Sequence, residues 1–173
     1  MKQARLKSAL LLLFLNVFAP AVLVGGDSKF SEVEQAIYKE LFKLPYYGVF
    51  EHIRFEVVGD RIVLSGQVTR PTLKKSAERV VKAVETVMEI ENRIEVLPLS
   101  GFDDEIRRSL FRSIYGRGDF LRYGSVHAPI HIIVRNGHVT LEGAVATEVE
   151  KSLAYHRATG VFGVFSVTNN LVT

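Results

Sequence analysis

Hydrophobic and polar positions follow the same order twice along this chain, once in each half. Each half opens with apolar residues spaced four apart, which is the period of an amphipathic helix; they are Val33, Ile37 and Leu41 in the first half and Ile106, Leu110 and Ile114 in the second. Two segments of alternating apolar and polar residues follow, which predicts a β-hairpin with one buried face. A second helical segment and a short apolar segment end each half. The pattern therefore predicts two copies of one αββαβ module.

The two copies match residue by residue over the predicted hairpin. Residues 53–68 align with residues 130–145 without a gap, and the same offset places Asn92 on Asn169. The second copy carries a short insertion around 117–124. Agreement over this length indicates an internal tandem repeat.

We expect an α+β fold in which each module is a three-stranded mixed sheet with two helices on one face. A β-helix-β connection crosses right-handed, so the third strand should run parallel to the second. The modules are predicted to span 29–97 and 102–173 and to pack against each other, with a linker at 98–101. The third strands are predicted at 94–96 and 171–172.

Small residues mark the hairpin turns at 59–60 and at Asn136-Gly137. Asn-Gly is the strongest short hairpin signal, because both residues tolerate positive φ. A two-residue turn at that position places His131 opposite Glu142 on the outward face of the hairpin. We expect that face to be solvated.

Gly66 and Gly143 occupy the buried row of the second strand in each copy. We interpret them as structural glycines, because a missing side chain would let a helix approach the sheet closely.

The helix starts carry capping signals. The sequence offers two capping boxes and one proline suited to a first helical position; they are Ser31 with Glu34, Thr147 with Glu150, and Pro71.

The first 26 residues have the pattern of a secretory signal peptide, with Lys2, Arg5 and Lys7 before an apolar run that ends in small residues. Cleavage after Ala21 and cleavage after Gly26 both fit. An uncleaved anchor is the alternative, because the run approaches the length that spans a bilayer. In either case the rest of the chain is expected outside the cytoplasm.

Charge and composition exclude several classes of function. Three of the 22 basic residues precede the apolar run, which leaves 19 against 19 acidic residues in the remaining chain. A chain with no net charge gains little from a global field, so nucleic acid is not an expected partner. The sequence contains no cysteine, which excludes disulfides, thiolate metal sites and the lipid-modified cysteine of a lipoprotein.

The repeated motifs resemble the BON domain. The first copy has a hairpin strand ending Ile-Val-Leu-Ser-Gly-Gln-Val at 62–68 and a closing segment at 90–94, and the second copy has the equivalents at 139–145 and 167–171. The resemblance covers nearly all of the chain after the signal. It implies a secreted, periplasmic protein of the cell envelope, linked to envelope integrity or osmotic stress and associated with phospholipid surfaces. It also implies that catalytic residues are absent.

The residues themselves offer no catalytic site, and we expect no enzyme activity, no cofactor and no small-molecule substrate. The sequence contains no zinc-protease motif, no phosphate-binding glycine loop and no nucleophile elbow. Four of the five histidines lie in the second copy, but spacing places no further metal ligand beside His127 and His131. No metal site is predicted.

Arginine and aromatic residues alternate in the first helix and the insertion of the second copy. Arg108, Arg112 and Tyr115 are spaced to share one line of the helix. Arginines between aromatic residues suit an anionic lipid surface, where aromatic rings settle at the interface. The predicted lipid-binding residues are Arg107, Arg108, Phe111, Arg112, Tyr115, Phe120 and Arg122. The alternative interpretation is a solvated helix face.

Two functions therefore remain open. The first is a two-module envelope protein that binds anionic phospholipid through the second copy, with the first copy serving as scaffold. The second is an assembly module that binds other envelope proteins through the open sheet face or an edge strand.

Overall fold

A computed structural model describes residues 28–58, 61–84, 89–116, 118–121, 123 and 128–173. The signal segment at 1–26 and the turn at 59–60 lie outside the described residues. Among the described residues, no helix has both the length and the apolar character needed to cross a bilayer.

The described chain is mixed α+β and repeats one arrangement of elements. The first half contains α1 (Ser28–Phe42), β1 (His52–Val58), β2 (Arg61–Val68), α2 (Pro71–Lys82), β3 (Glu89–Asn92) and β4 (Glu95–Val96). The second half contains α3 (Gly101–Tyr115), α4 (Gly118–Leu121), β5 (Ile130–Arg135), β6 (His138–Gly143), α5 (Glu148–Thr159) and β7 (Ser166–Asn169). We call the two halves the first and the second module. The predicted fold class is confirmed.

Each sheet consists of an antiparallel hairpin with a parallel third strand beside its second strand. β1 pairs with β2 and β5 with β6 in antiparallel register, while β3 and β4 run parallel to β2 and β7 runs parallel to β6. The predicted parallel pairing of the third strand with the second is confirmed. The third strands begin earlier than predicted, at Glu89 and Ser166.

A repeated asparagine explains why the third strand is interrupted. The Asn92 side chain donates to the Lys74 carbonyl of α2 at 3.0 Å and accepts from the Ile94 backbone at 3.1 Å. Asn169 makes the same two bonds, to the Lys151 carbonyl of α5 and from the Leu171 backbone. In each module the side chain satisfies the backbone N–H two residues later, and pairing with the neighbouring strand resumes three residues after the asparagine.

Each module has its own apolar core between its helices and its sheet. The predicted helical stripes point into these cores, and Ala77 and Ala154 are fully buried where the second helix meets the sheet. The main buried residues of the first core are Ile37, Leu41, Ile62, Leu64, Val68, Leu73 and Ile94, and those of the second are Ile106, Leu110, Ile114, Phe120, Ile130, Ile132 and Leu141.

The backbone of the neighbouring strand, and not a helix, is what requires glycine at positions 66 and 143. This corrects the interpretation that the missing side chain lets a helix approach the sheet. Both have positive φ, 112° and 116°. A Cβ on Gly66 would overlap the carbonyl oxygen of His52, and one on Gly143 would overlap the carbonyl oxygen of Pro129. The hairpin backbone therefore passes too close for any side chain at these positions.

The observed starts of the helices agree with two of the predicted capping signals and differ from a third. The Thr147 side chain caps α5 by accepting from the Glu150 backbone at 3.2 Å, and Pro71 begins α2, both as predicted. α1 instead begins at Ser28, so Ser31 lies within the helix and is not its cap.

The two modules contact each other through the segment between α1 and β1. Val49 and Phe50 from this segment pack against the core of the second module. The Ile132 backbone N–H, on the outer edge of β5, donates to the Val49 carbonyl at 2.7 Å. An ion pair joins Arg135 to Glu95 across the same boundary. The first module therefore occupies part of an edge that would otherwise be open.

Candidate functional site

Helix α3 holds most of the residues predicted to bind lipid. Ser100 caps it, accepting from the Asp103 backbone at 3.1 Å, and Asp103 and Asp104 lie in the first turn, where carboxylates favour the helix dipole. Both carboxylate oxygens of Asp103 accept backbone N–H groups of the β5–β6 turn, from Asn136 and Gly137 at 2.8 Å. These bonds fix the start of α3 against the tip of the hairpin.

Arg108 and Arg112 lie on the exposed side of α3, one turn apart. Arg112 donates to the Ser109 hydroxyl at 3.2 Å. Among the described residues, the ion pair that α3 forms involves Arg107 and not these two arginines. Glu105, also exposed, precedes Arg108 by one turn, so the positive charge is concentrated in the C-terminal half of the exposed face.

Arg107 is buried, with 4% of its surface exposed. Its guanidinium donates to Asp104 Oδ1 at 2.5 Å and to the Val134 carbonyl of β5 at 2.6 Å. The prediction that Arg107 belongs to an exposed lipid-binding face is wrong, because its side chain is directed to the end of β5.

Tyr115 and Phe120 are also part of the core. The Tyr115 hydroxyl donates to the Ile130 carbonyl at 2.7 Å and accepts from the Ile130 N–H at 2.9 Å. Burial raises the pKa of Tyr115 above its ordinary value. Phe120 is fully buried beneath the guanidinium of Arg157, whose Cζ lies 5.2 Å from the ring centroid. The predicted exposure of these two rings is wrong, because α4, which carries Phe120, packs against α3.

Phe111 is half-buried and contacts the first module. Its ring packs edge-on against Phe50 with centroids 6.3 Å apart, and it lies 5.3 Å from the Tyr115 ring. Arg122, the remaining predicted residue, lies outside the described residues. Of the predicted set, Arg108 and Arg112 are thus the ones whose side chains the structure places on the surface.

Three exposed phenylalanines of the second module were not singled out from the sequence. Phe162 is 96% exposed, Phe165 is largely exposed, and Phe102 on the first turn of α3 lies 6.3 Å from the Phe165 ring. Comparison of the two copies of the repeat points to two of these phenylalanines. The first copy has Glu85 and Met88 where the second has Phe162 and Phe165. Large exposed apolar residues in one place mark an interaction surface.

A basic line on α2 in the first module was also missed. Lys75, Arg79 and Lys82 are exposed and lie at i, i+4 and i+7. Glu78 lies among them and accepts from the Asn92 side chain at 3.0 Å. Exposed positive charge is therefore present on both modules.

The predicted pairing of His131 with Glu142 is confirmed, but the face that carries them is not solvated. His52 of the first module stacks on His131, and Tyr47 lies 5.9 Å from the same ring. Glu142 is 6% exposed and accepts from the Asn170 side chain at 2.9 Å. The first module covers this part of the sheet, which the sequence of one module alone does not reveal.

Burial lowers the pKa values of both histidines. The pKa of His52 falls to about 3, chiefly through desolvation and then through the neighbouring His131 and Arg54. Desolvation also lowers the pKa of His131, although backbone hydrogen bonds with Gly48 and Glu51 oppose it. Within the described part of the chain, no group of three or more histidine, aspartate or glutamate side chains is arranged to hold a metal ion.

Comparison with known proteins identifies the repeated unit. The family description "BON domain" matches the chain twice, over residues 31–98 and 103–173. No curated protein matches the chain.

Two solved structures of CdsD, a structural protein of the type III secretion system of Chlamydia trachomatis, are similar at 11% identity. One covers 82% of this chain and 91% of its own length with a TM-score of 0.32. The other, a C-terminal domain, covers 86% and 98% with a TM-score of 0.31. Similarity at this level indicates nothing about what the present chain binds.

Proposed function

This chain belongs to the BON domain family, and from that premise we propose that it is a non-enzymatic periplasmic protein that docks on anionic phospholipid surfaces. The family in general is non-catalytic, associated with the cell envelope and known to bind membranes. In the proposed role, docking supports envelope integrity or tolerance of osmotic stress.

The exposed arginine pair on α3 is the observation that carries the proposal. Arg108 and Arg112 lie one turn apart on the surface of the second module. A cationic side chain near an anionic membrane contributes about 1 kcal/mol, so two adjacent arginines give measurable but salt-sensitive binding. Phe102 is exposed on the first turn of the same helix.

Vesicle flotation tests the proposal, using the mature protein with vesicles that either contain or lack anionic phosphatidylglycerol. We expect flotation with the anionic vesicles, and we expect the double variant Arg108→Glu, Arg112→Glu to abolish most of it. The matched control is Lys75→Glu, Arg79→Glu on α2, which changes the charge of the first module by the same amount. Equal flotation with neutral vesicles, or a loss with the α2 variant alone, would contradict docking through α3.

An assembly role through the sheets is the second candidate function. Part of the β5 edge is already paired, because Ile132 donates to Val49 of the first module. The exposed Phe162 and Phe165 offer apolar surface of the kind that protein partners cover. Co-purification of the same envelope protein with wild type, but not with Phe162→Ser, Phe165→Ser, would favour this candidate.

A further inference from the structure

A cleft of about 390 Å³ lies where the linker region passes between the two modules. Its walls come from the end of β2, the segment after β4, the first two turns of α3 and the ring of Phe50. The lining residues are Phe50, Thr69, Arg70, Leu97, Pro98, Leu99, Asp104, Arg107 and Arg108. Neither module forms this cleft alone.

The cleft is electropositive. Three arginines line it, whereas Asp104 is the one carboxylate in its lining. Asp104 already accepts a hydrogen bond from Arg107. Arg70 is held by Tyr46, with its Cζ 4.5 Å from the ring centroid. Guanidinium groups in a partly enclosed site favour a phosphate, whose oxygens match their N–H geometry.

Arg107 forms part of the buried wall of the cleft, and its charge is paired with Asp104. Its two terminal nitrogens donate to Asp104 and to the Val134 carbonyl, but its buried Nε has no hydrogen-bond partner. An arginine cannot lose its proton to relieve this, and an unsatisfied buried donor is costly. Because Asp104 pairs with Arg107 and the Nε of Arg107 is buried, the exposed positive charge of the cleft comes from Arg70 and Arg108.

The remaining lining is apolar. Leu97 is buried, Leu99 is almost fully exposed, and the Phe50 ring packs against Phe111 on the other side. An exposed leucine beside a basic cleft is suited to an alkyl chain, because covering it removes apolar surface from water. The cleft thus joins a site for an anion to a site for a hydrocarbon.

We propose that this cleft binds a single anionic phospholipid molecule, with its phosphate between Arg70 and Arg108 and its acyl chain against Leu99 and Phe50. Arg107, paired with Asp104, forms the wall behind the phosphate. The choice of phospholipid as the source of the anion rests on the proposed function. The cleft shares Arg108 with the docking surface, but Arg112 does not line it, so Arg112 separates the two proposals.

Titration with dihexanoyl phosphatidylglycerol below its micelle concentration tests the proposal, with binding followed by calorimetry. We expect saturable binding at one site per chain, with Arg70→Gln and Arg108→Gln each weakening it about tenfold, the loss expected for one charge-assisted hydrogen bond. Leu99→Ser should weaken binding as well. Arg112→Gln is the control and should bind like wild type. All four side chains are exposed, and circular dichroism checks that each variant is folded.

Two further probes separate the sources of the anion. Inorganic phosphate and dihexanoyl phosphatidylcholine should both bind at least about tenfold more weakly, since the first lacks the chain and the second lacks the net charge. Equal binding of either probe overturns the proposal, and so does unchanged affinity in both Arg70→Gln and Arg108→Gln. Loss of vesicle flotation in Arg112→Glu with intact monomer binding would leave this site in place, so the two proposals fail separately.

Discussion

The imidazole rings of His52 and His131 stack across the boundary between the modules, with centroids 5.2 Å apart and an angle of 28° between the planes. The Nδ1 atoms of both rings are buried without a hydrogen-bond partner. His52 Nδ1 lies 3.8 Å from Glu142 Oε2, which is beyond hydrogen-bonding distance, and desolvation is the largest of the causes that lower the pKa of His52. The pair is therefore neutral in the folded protein at physiological pH.

Acidification should destabilise the contact between the modules. An exposed histidine binds a proton below about pH 6.5, but His52 in the folded protein resists protonation down to about pH 3. Stability linked to His52 is fully present above about pH 6.5 and is lost progressively as the pH falls from there toward 3. Between pH 7.5 and pH 5 we expect a loss of about 2 kcal/mol in the free energy of unfolding from His52, with a further loss of the same sign from His131.

Urea unfolding at the two pH values measures this loss. The ionisable side chains around the pair are Tyr47, Glu51, Arg54 and Glu142. The decisive quantity is therefore the difference in pH dependence between wild type and His52→Gln, which should show the shallower decline. His156→Gln alters an exposed histidine and should retain the wild-type decline. Identical pH dependence in wild type and His52→Gln would mean that the stacked pair does not control stability.

Substituting Gly143 should destabilise the second module strongly. An alanine Cβ would overlap the Pro129 carbonyl oxygen on the paired strand, and the φ of 116° is unfavourable for any L side chain. We expect Gly143→Ala to lower the free energy of unfolding by about 2 kcal/mol or more. Gly101→Ala is the control, since nothing lies within 4 Å of an added Cβ in that first turn of α3. A Gly143→Ala protein as stable as Gly101→Ala would contradict the close approach of the two strands.

The Asp103 carboxylate should be essential for the β5–β6 turn. It is fully buried and accepts the backbone N–H groups of Asn136 and Gly137. Asp103→Asn keeps one acceptor oxygen, whereas Asp103→Ala keeps none and leaves two donors unsatisfied. We expect stability to fall in that order, with a loss of about 3 kcal/mol or more for alanine. Chemical denaturation of the three proteins gives the ranking, and equal stability of the two variants would argue against these bonds.

The fold was predictable because each module encodes its own core. Alternation along the hairpin and the Asn136-Gly137 turn placed His131 opposite Glu142, and the structure has that register. The surroundings of the pair were not predictable. The face looked solvated because the pattern within one module says nothing about a neighbour, and only the packing of His52 and Tyr47 buries it.

The candidate site was harder to predict for a related reason. Helical spacing places Tyr115 on the same side of α3 as Arg108 and Arg112. Spacing does not show that the residues after a helix pack over its C-terminal end. Here α4 packs on α3, and its Phe120 is fully buried. The arginines and aromatic residues of this segment therefore fall into two groups. Arg108 and Arg112 are exposed, whereas Tyr115 and Phe120 are part of the core.

Replacing Tyr115 separates a structural role from a lipid-binding role. Its hydroxyl both donates to and accepts from the Ile130 backbone, so Tyr115→Phe leaves two buried backbone groups without that partner. We expect the free energy of unfolding to fall by about 1 to 3 kcal/mol. Vesicle flotation of the folded variant should equal that of wild type, because the ring does not reach the surface. Tyr155→Phe on α5 removes a more exposed hydroxyl and should leave both stability and flotation unchanged. A selective loss of flotation in Tyr115→Phe at wild-type stability would instead return this residue to the lipid-binding surface.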